Sequence, residues 1–147
     1  MSQQKLLLDT EAMQEDFFAE ASLIGIVSTA PAYFFCWLLN EHFNLQLARE
    51  AELDICKVDV DKKEHFFPVY KYAAPLNGNK YTVYKLKSET ESLLPEAKQL
   101  DYILMIDSME SQEEANYFTQ ELKNIQEVQL AQVLDYDSLK NLGNLLL

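Results

Sequence analysis

The chain has 147 residues, with 12 basic and 24 acidic side chains and a formal net charge of −12 at pH 7. A chain of this length can bury a hydrophobic core without disulfides, so we expect one α+β domain over residues 1–147, with residues 1–20 partly loose. A strongly acidic surface repels phosphates and anionic lipids, which argues against nucleic-acid and membrane partners.

The N-terminal residues and the cysteines predict a cytoplasmic protein. Residues 1–18 lack the basic start and apolar middle of a secretory signal, and the longest apolar run, Ala30–Leu39, is far too short for a membrane span. Cys36 and Cys56 are typical of free buried thiols in a reducing compartment. Because the two cysteines form no Cys-x-x-Cys motif and the chain has two histidines, we expect neither a metal nor a cofactor.

Three segments precede the first predicted helix. Lys5–Asp9 is a short apolar run that predicts an edge strand, and the acidic stretch that continues to Glu20 predicts a loop. Ser22–Ser28 is rich in β-branched and aliphatic residues without polar alternation. This pattern is typical of a central strand that is covered on both faces.

The first predicted helix follows that strand directly. Ser28 or Thr29 can cap it, and Pro31 suits the first turn because the amide hydrogens there have no partner within the helix. We expect the helix to continue to about Phe43, to pack on a sheet and to touch another element, with Asn44 as a left-handed residue at its end.

The middle of the chain predicts a β-hairpin. The runs Phe66–Tyr72 and Lys80–Lys87 are aromatic and β-branched, and Asn77 and Gly78 between them tolerate the positive φ of a tight turn. Pro68 lacks an amide hydrogen, so we expect its strand to lie at an edge or to be bulged there.

Two further strands and a second helix are predicted around the hairpin. Leu53–Val60 reads as a strand, and Asp101–Ser108 contains a second continuously apolar central strand. Ser111 and Glu114 have the spacing of a capping box, which predicts a helix that begins at Ser111 and buries one face.

The C-terminal residues predict a last strand, Val128–Leu134, and a turn or short helix over Asp135–Leu147. The chain ends in three leucines, and large exposed apolar patches are uncommon on monomers. We therefore expect the leucines to pack onto the domain. Docking of the leucines on a partner is the alternative.

Strand, helix and strand recur at the two ends of the chain, with the hairpin between them. This order predicts a two-layer α+β sandwich, in which a mixed or antiparallel sheet carries two helices mainly on one face. The expected arrangement is ferredoxin-like or ACT-like with an inserted β-hairpin.

One motif precedes the second central strand: Leu94-Pro95-Glu96, three residues, and then Leu100-Asp101-Tyr102. It resembles the signature of the IPExxxVDY family of small bacterial proteins of unknown function, with leucine in place of isoleucine and valine. The resemblance implies no activity, cofactor or partner.

The motif has a structural and a catalytic interpretation. Pro95 forces Leu94 out of helical geometry and Glu96 can bind a nearby amide, which suggests a locked turn. The carboxylates of Glu96 and Asp101 could also act as acid and base, but the sequence shows neither a cleft nor a perturbed pKa. We favour the structural interpretation, and we also expect structural roles for His42 and His65.

The charge along the chain is uneven, because residues 57–87 carry +4 while the segments before and after them carry −7 and −9. Lysines interleaved with tyrosines can bind single-stranded nucleic acid, but they also fit cross-strand aromatic pairs or a dimer face. We favour the latter two over nucleic acid. The candidate interaction surface comprises Tyr70, Lys71, Tyr72, Tyr81, Tyr84, Lys85 and Lys87.

The sequence contains no phosphate-binding glycine loop, nucleophile elbow or zinc-binding helix motif. We therefore expect a non-enzymatic protein-interaction or regulatory module with a protein partner or a second copy of itself. The alternative is a small-ligand-binding regulatory domain of the ACT-like type, which rests on the expected fold alone.

Overall fold

A computed structural model describes residues 11–147, so the strand predicted at Lys5–Asp9 lies outside the described residues. In chain order the elements are α1 (11–18), β1 (Ala21–Ser28), α2 (Ala32–Phe43), β2 (Ala48–Arg49), β3 (Ile55–Val58), β4 (Glu64–Phe67), β5 (Val69–Ala73), β6 (Lys80–Lys85), β7 (Lys87–Ser88), β8 (Glu91–Ser92), β9 (Tyr102–Asp107), α3 (Ser111–Leu122) and β10 (Val128–Val133). Short 3-10 helices occupy Ala51–Leu53, Pro95–Ala97, Tyr136–Ser138 and Leu142–Leu145.

The main sheet has six strands in the order β10-β1-β9-β6-β5-β2, and every neighbouring pair is antiparallel. The predictions of an α+β fold and of two central strands are confirmed, since β1 and β9 lie next to each other inside the sheet. Both are almost entirely buried, which accounts for their continuously apolar sequences. β10 and β2 form the two edges.

Each face of the sheet carries a hydrophobic core. Helices α2 and α3 cover one face, where Phe35 and Phe118 pack against Ile24 and Leu104. The opposite face is covered by α1, by residues 86–100 and by the C-terminal residues. The two helices therefore share one face as predicted, but the two-layer prediction was too simple because the second face is also buried.

The hairpin prediction is confirmed for β5 and β6, which pair directly around a turn in which Gly78 has a φ of 73°. Pro68 ends the preceding strand, as its missing amide hydrogen predicts. The aromatic run before it, β4, pairs with β3 in a separate two-stranded sheet, and β7 and β8 form a third sheet.

The capping of helices α2 and α3 differs from the predictions. Neither Ser28 nor Thr29 caps α2, because the helix begins only at Ala32 and Pro31 is its N-cap residue. The Ser28 hydroxyl instead accepts from the Ala30 amide at 3.2 Å and donates to the Glu127 carbonyl at 2.7 Å. Helix α3 begins at Ser111 as predicted, but the capping box was wrong because Glu114 accepts from the Asn79 amide at 2.9 Å. The Glu114 carboxylate thus binds a residue distant in sequence and not the helix end.

Three predictions at the ends of elements have clear outcomes. Asn44 has a φ of 57° and ends α2 in the left-handed conformation, as predicted. Residues 11–18 form a helix, so the loop prediction for that stretch was wrong; the buried Phe18 anchors the helix on the sheet. Of the three C-terminal leucines, Leu145 is buried on the domain as predicted, whereas Leu147 exposes 40% of its surface.

No helix between residues 11 and 147 combines the length and the apolar character that a bilayer crossing requires.

Candidate functional site

The tyrosines of the candidate interaction surface are largely inaccessible. Tyr70, Tyr81 and Tyr84 are buried in the two cores, because both faces of the sheet are covered at β5 and β6. The Tyr84 hydroxyl donates to the Leu145 carbonyl at 2.9 Å, and burial raises the pKa of this phenol. These three rings cannot form a binding surface, which corrects that part of the prediction.

The other four members, Lys71, Tyr72, Lys85 and Lys87, are half-buried. Tyr72 lies opposite Tyr81 in the β5–β6 register and stacks on it with ring centroids 6.2 Å apart. The ammonium group of Lys87 lies 3.0 Å from a carboxylate oxygen of Asp101. The hairpin therefore contains a cross-strand aromatic pair, as the favoured interpretation of the sequence predicts.

The Leu-Asp-Tyr half of the sequence motif joins β9 to the start of α2. The Asp101 carboxylate accepts from the Ser28 amide at 2.9 Å, and the Tyr102 hydroxyl donates to the Ala30 carbonyl at 2.5 Å. The Tyr102 ring also stacks on Phe35 of α2, with centroids 4.3 Å apart. These contacts support the structural interpretation of the motif.

The Leu94-Pro95-Glu96 half of the motif contacts the C-terminal residues through a hydrogen bond of Glu96. Leu94 is fully buried, and Pro95 opens a 3-10 helix that carries Glu96 toward Asn141. One carboxylate oxygen of Glu96 accepts from the Asn141 amide at 2.6 Å. The Glu96 and Asp101 carboxylates thus bind different segments of the chain, and neither lines the cleft beside Pro95.

The outer edge of β10 is the longer of the two edges of the main sheet, with six residues against two in β2. Over residues 11–147, no strand pairs with this edge. The strand Val-Gln-Leu-Ala-Gln-Val has no charged residue and no proline, although a quarter of the whole chain is charged. Leu130 and Val133 expose 42% and 39% of their surfaces.

The opposite edge of the sheet differs in both length and charge. Strand β2 has only two residues, and its Arg49 forms an ion pair with Asp54. Short edge strands and charged side chains are the usual means by which proteins prevent edge-to-edge pairing. Over residues 11–147 one edge is protected and the other is open, which the sequence alone could not indicate because strand order is a tertiary property.

Helix α2 also presents aromatic side chains to solvent. Tyr33 and Trp37 are mostly exposed, while Phe34 packs beside Trp37 with ring centroids 5.9 Å apart. The C-terminal end of α2 contacts α3, because Phe43 stacks on Phe118 with ring centroids 4.1 Å apart. The prediction that α2 touches both the sheet and another element is confirmed.

The two cysteines lie in different environments. Cys36 is buried, and burial raises the pKa of its thiol to about 12, whereas Cys56 is exposed, contrary to its predicted burial. We expect iodoacetamide at pH 8 to alkylate Cys56 and to leave Cys36 unmodified, because the reactive form of a thiol is the thiolate. Mass spectrometry of the native protein should show one adduct, and denaturation should allow a second; two adducts on the native protein would contradict the assignment.

The two histidines each pair with a carboxylate. His42 lies at the end of α2, 3.1 Å from Glu121, and both side chains are about one-third exposed. His65 is only 3% exposed and lies 2.8 Å from Asp59. The second pair is therefore a polar contact inside the protein, and a third ionisable side chain, Glu91, lies beside it.

No protein-family model, curated protein or solved structure matches this chain. The resemblance to the IPExxxVDY family therefore stays a prediction from the motif.

Proposed function

We propose that this protein is a non-enzymatic interaction module that forms a homodimer by antiparallel pairing of β10 with β10 of a second copy. The observation that carries the proposal is the uncharged edge of β10, with which no strand pairs over residues 11–147. An unpaired strand edge presents a row of backbone donors and acceptors, and another strand satisfies them best.

The direction of the backbone groups defines which residues would pair. The amide of Leu134 donates to the Leu23 carbonyl at 2.8 Å, so its N–H points toward β1. Because these groups alternate along a strand, the N–H and C=O groups of Ala131 and Val133 point away from β1. They are available for hydrogen bonds to a second copy.

One register satisfies these groups and matches the side chains. With a two-fold axis at Gln132, Ala131 of each copy faces Val133 of the other, and Leu130 faces Leu134. Apolar side chains then meet apolar side chains, and the two Gln132 residues lie side by side on the axis. Because β10 has no charged residue, like charges do not oppose each other within the paired strands.

Light scattering after size exclusion tests the proposal. We expect the wild-type protein to be a dimer and the double variant Leu130→Lys with Val133→Lys to be a monomer, since lysines at an edge oppose pairing. The control is Val60→Lys with Leu76→Lys, which adds the same charge at side chains that are 98% and 99% exposed elsewhere. A monomeric wild type, or a dimer that the β10 variant leaves intact, would refute it.

Cysteine cross-linking tests the register. Gln132→Cys in a Cys56→Ser background should form an intermolecular disulfide under mild oxidation, because non-hydrogen-bonded residues facing each other across antiparallel strands have Cα atoms about 4.5 Å apart. Gln129→Cys in the same background should not cross-link, since it lies three residues from the axis. Equal cross-linking of the two variants would exclude the proposed register.

The finer fold assignment is also a proposal. The strand order β10-β1-β9-β6, with α2 and α3 on one face, supports a ferredoxin-like arrangement in which β2 to β5 are inserted after α2. Membership of the IPExxxVDY family is likewise a proposal, which rests on the spacing of the sequence motif. The alternative function, a small-ligand-binding regulatory domain of the ACT-like type, rests on this fold likeness alone and stays a prediction.

A further inference from the structure

Three potential metal ligands converge between the two small sheets. Asp59 follows β3, His65 lies in β4, and Glu91 comes from β8. One ligand atom from each side chain lies within 4.8 Å of the other two, and the Nε2 atom of His65 is 2.8 Å from an oxygen of Asp59. We propose that Asp59, His65 and Glu91 bind one divalent first-row transition-metal ion, such as zinc.

The donor set matches this class of ion. One imidazole nitrogen with two carboxylate oxygens suits zinc or cobalt, whereas magnesium and calcium prefer oxygen ligands only. Two carboxylates and a neutral imidazole supply two negative charges, which balance a divalent cation. With metal–ligand bonds of about 2.0–2.2 Å, the three groups need small side-chain rotations to surround one ion, and a water molecule completes a tetrahedral site.

The Asp59 carboxylate is held in place before any ion binds. Its Oδ1 atom accepts from the amides of Asp61 and Lys63 at 2.8 and 2.9 Å, which leaves Oδ2 directed at His65. Outer hydrogen bonds that orient a ligand are a regular feature of metal sites.

Glu91 connects the cluster to solvent. It lines a cleft of about 370 Å³ beside β7 and β8, so one of the three proposed ligands can be reached from solvent. The ammonium group of Lys57 lies 3.7 Å from the Glu91 carboxylate and donates to the Ser92 carbonyl at 3.3 Å. In the metal-free protein this ammonium balances part of the charge, so it competes with a bound cation.

Titration of the chelator-treated, full-length protein with Co²⁺ and Zn²⁺ tests the proposal. We expect one equivalent to bind, with visible absorption bands for four-coordinate Co²⁺ that Zn²⁺ displaces. Bound metal should also raise the thermal midpoint, because the ion binds the folded chain preferentially. Absence of saturable binding of both ions to the wild-type protein would overturn the assignment.

Variants separate this site from adventitious binding. Glu91→Gln should weaken Co²⁺ binding at least about tenfold, and since this side chain is partly exposed, the variant avoids the folding risk of replacing buried His65. Lys57→Met should strengthen binding by about three- to fivefold, because it removes the competing ammonium. The control is His42→Asn, which removes the other His–carboxylate pair and should bind as wild type. Unchanged binding by Glu91→Gln, or equal loss in His42→Asn, would overturn the assignment.

Discussion

Replacement of Leu100 with alanine is expected to lower the free energy of unfolding by about 2–5 kcal/mol. Leu100 is 1% exposed and lies in the core that covers the face of the sheet opposite α2 and α3. Truncation removes buried methyl groups and leaves a cavity that the neighbouring strands cannot fully close. Urea unfolding monitored by circular dichroism measures the loss, and a change below about 1 kcal/mol would contradict this packing.

Gly25 offers a sharper version of the same test. A Cβ atom at this position would lie 2.8 Å from Cδ1 of Leu100 and 2.9 Å from Cδ2 of Leu134, so Gly25→Ala alone should destabilise by about 1–3 kcal/mol. In the Leu100→Ala background the added methyl group enters the cavity. We expect the double variant to be more stable than the sum of the single losses predicts, and strict additivity would contradict the contact.

Asp101→Ala is expected to cost about 1–3 kcal/mol, because it removes the acceptor for the amide of Ser28, a residue that is 3% exposed. The same carboxylate pairs with Lys87, whose side chain is 43% exposed, so that ion pair should contribute at most about 1 kcal/mol. Lys87→Met is the matched control and should have the smaller effect. Equal losses in the free energy of unfolding for the two variants would show that the ion pair, and not the hydrogen bond to Ser28, accounts for the effect of Asp101.

The sequence predicted the elements whose causes are local. Gly78 and Asn44 occupy positive-φ positions that few other residues tolerate, so the hairpin turn and the end of α2 could be assigned from neighbouring residues alone. Pro68 interrupts its strand because proline has no backbone N–H to donate to a neighbouring strand.

The features that depend on distant contacts were not predicted. Tyr70 and Tyr84 occur where tyrosines and lysines are interleaved, a pattern that predicts an exposed surface. Segments far away in sequence nevertheless bury both faces of the sheet. The spacing of Ser111 and Glu114 predicted a capping box, but the Glu114 carboxylate accepts from the side-chain amide of Asn79. The open edge of β10 became visible only when the strand order was known.

The proposed metal site shows the same limit. Asp59 and His65 are six residues apart across one turn, but Glu91 comes from another sheet. Two histidines without a spacing motif gave no reason to expect a metal. The cluster arises from the packing of two small hairpins, and a single sequence carries no signal for that packing.

The position of β1 between β9 and β10 has a consequence for the folding of this chain. Both hydrogen-bonding neighbours of β1, β9 and β10, are synthesised long after it, so β1 stays unpaired in the sheet until residues 102–133 have left the ribosome. Pairing of such distant segments requires closure of long loops, which slows folding. A strand as apolar as β1 is then exposed for the longest time, and we expect this segment to be the main binding site for chaperones during synthesis.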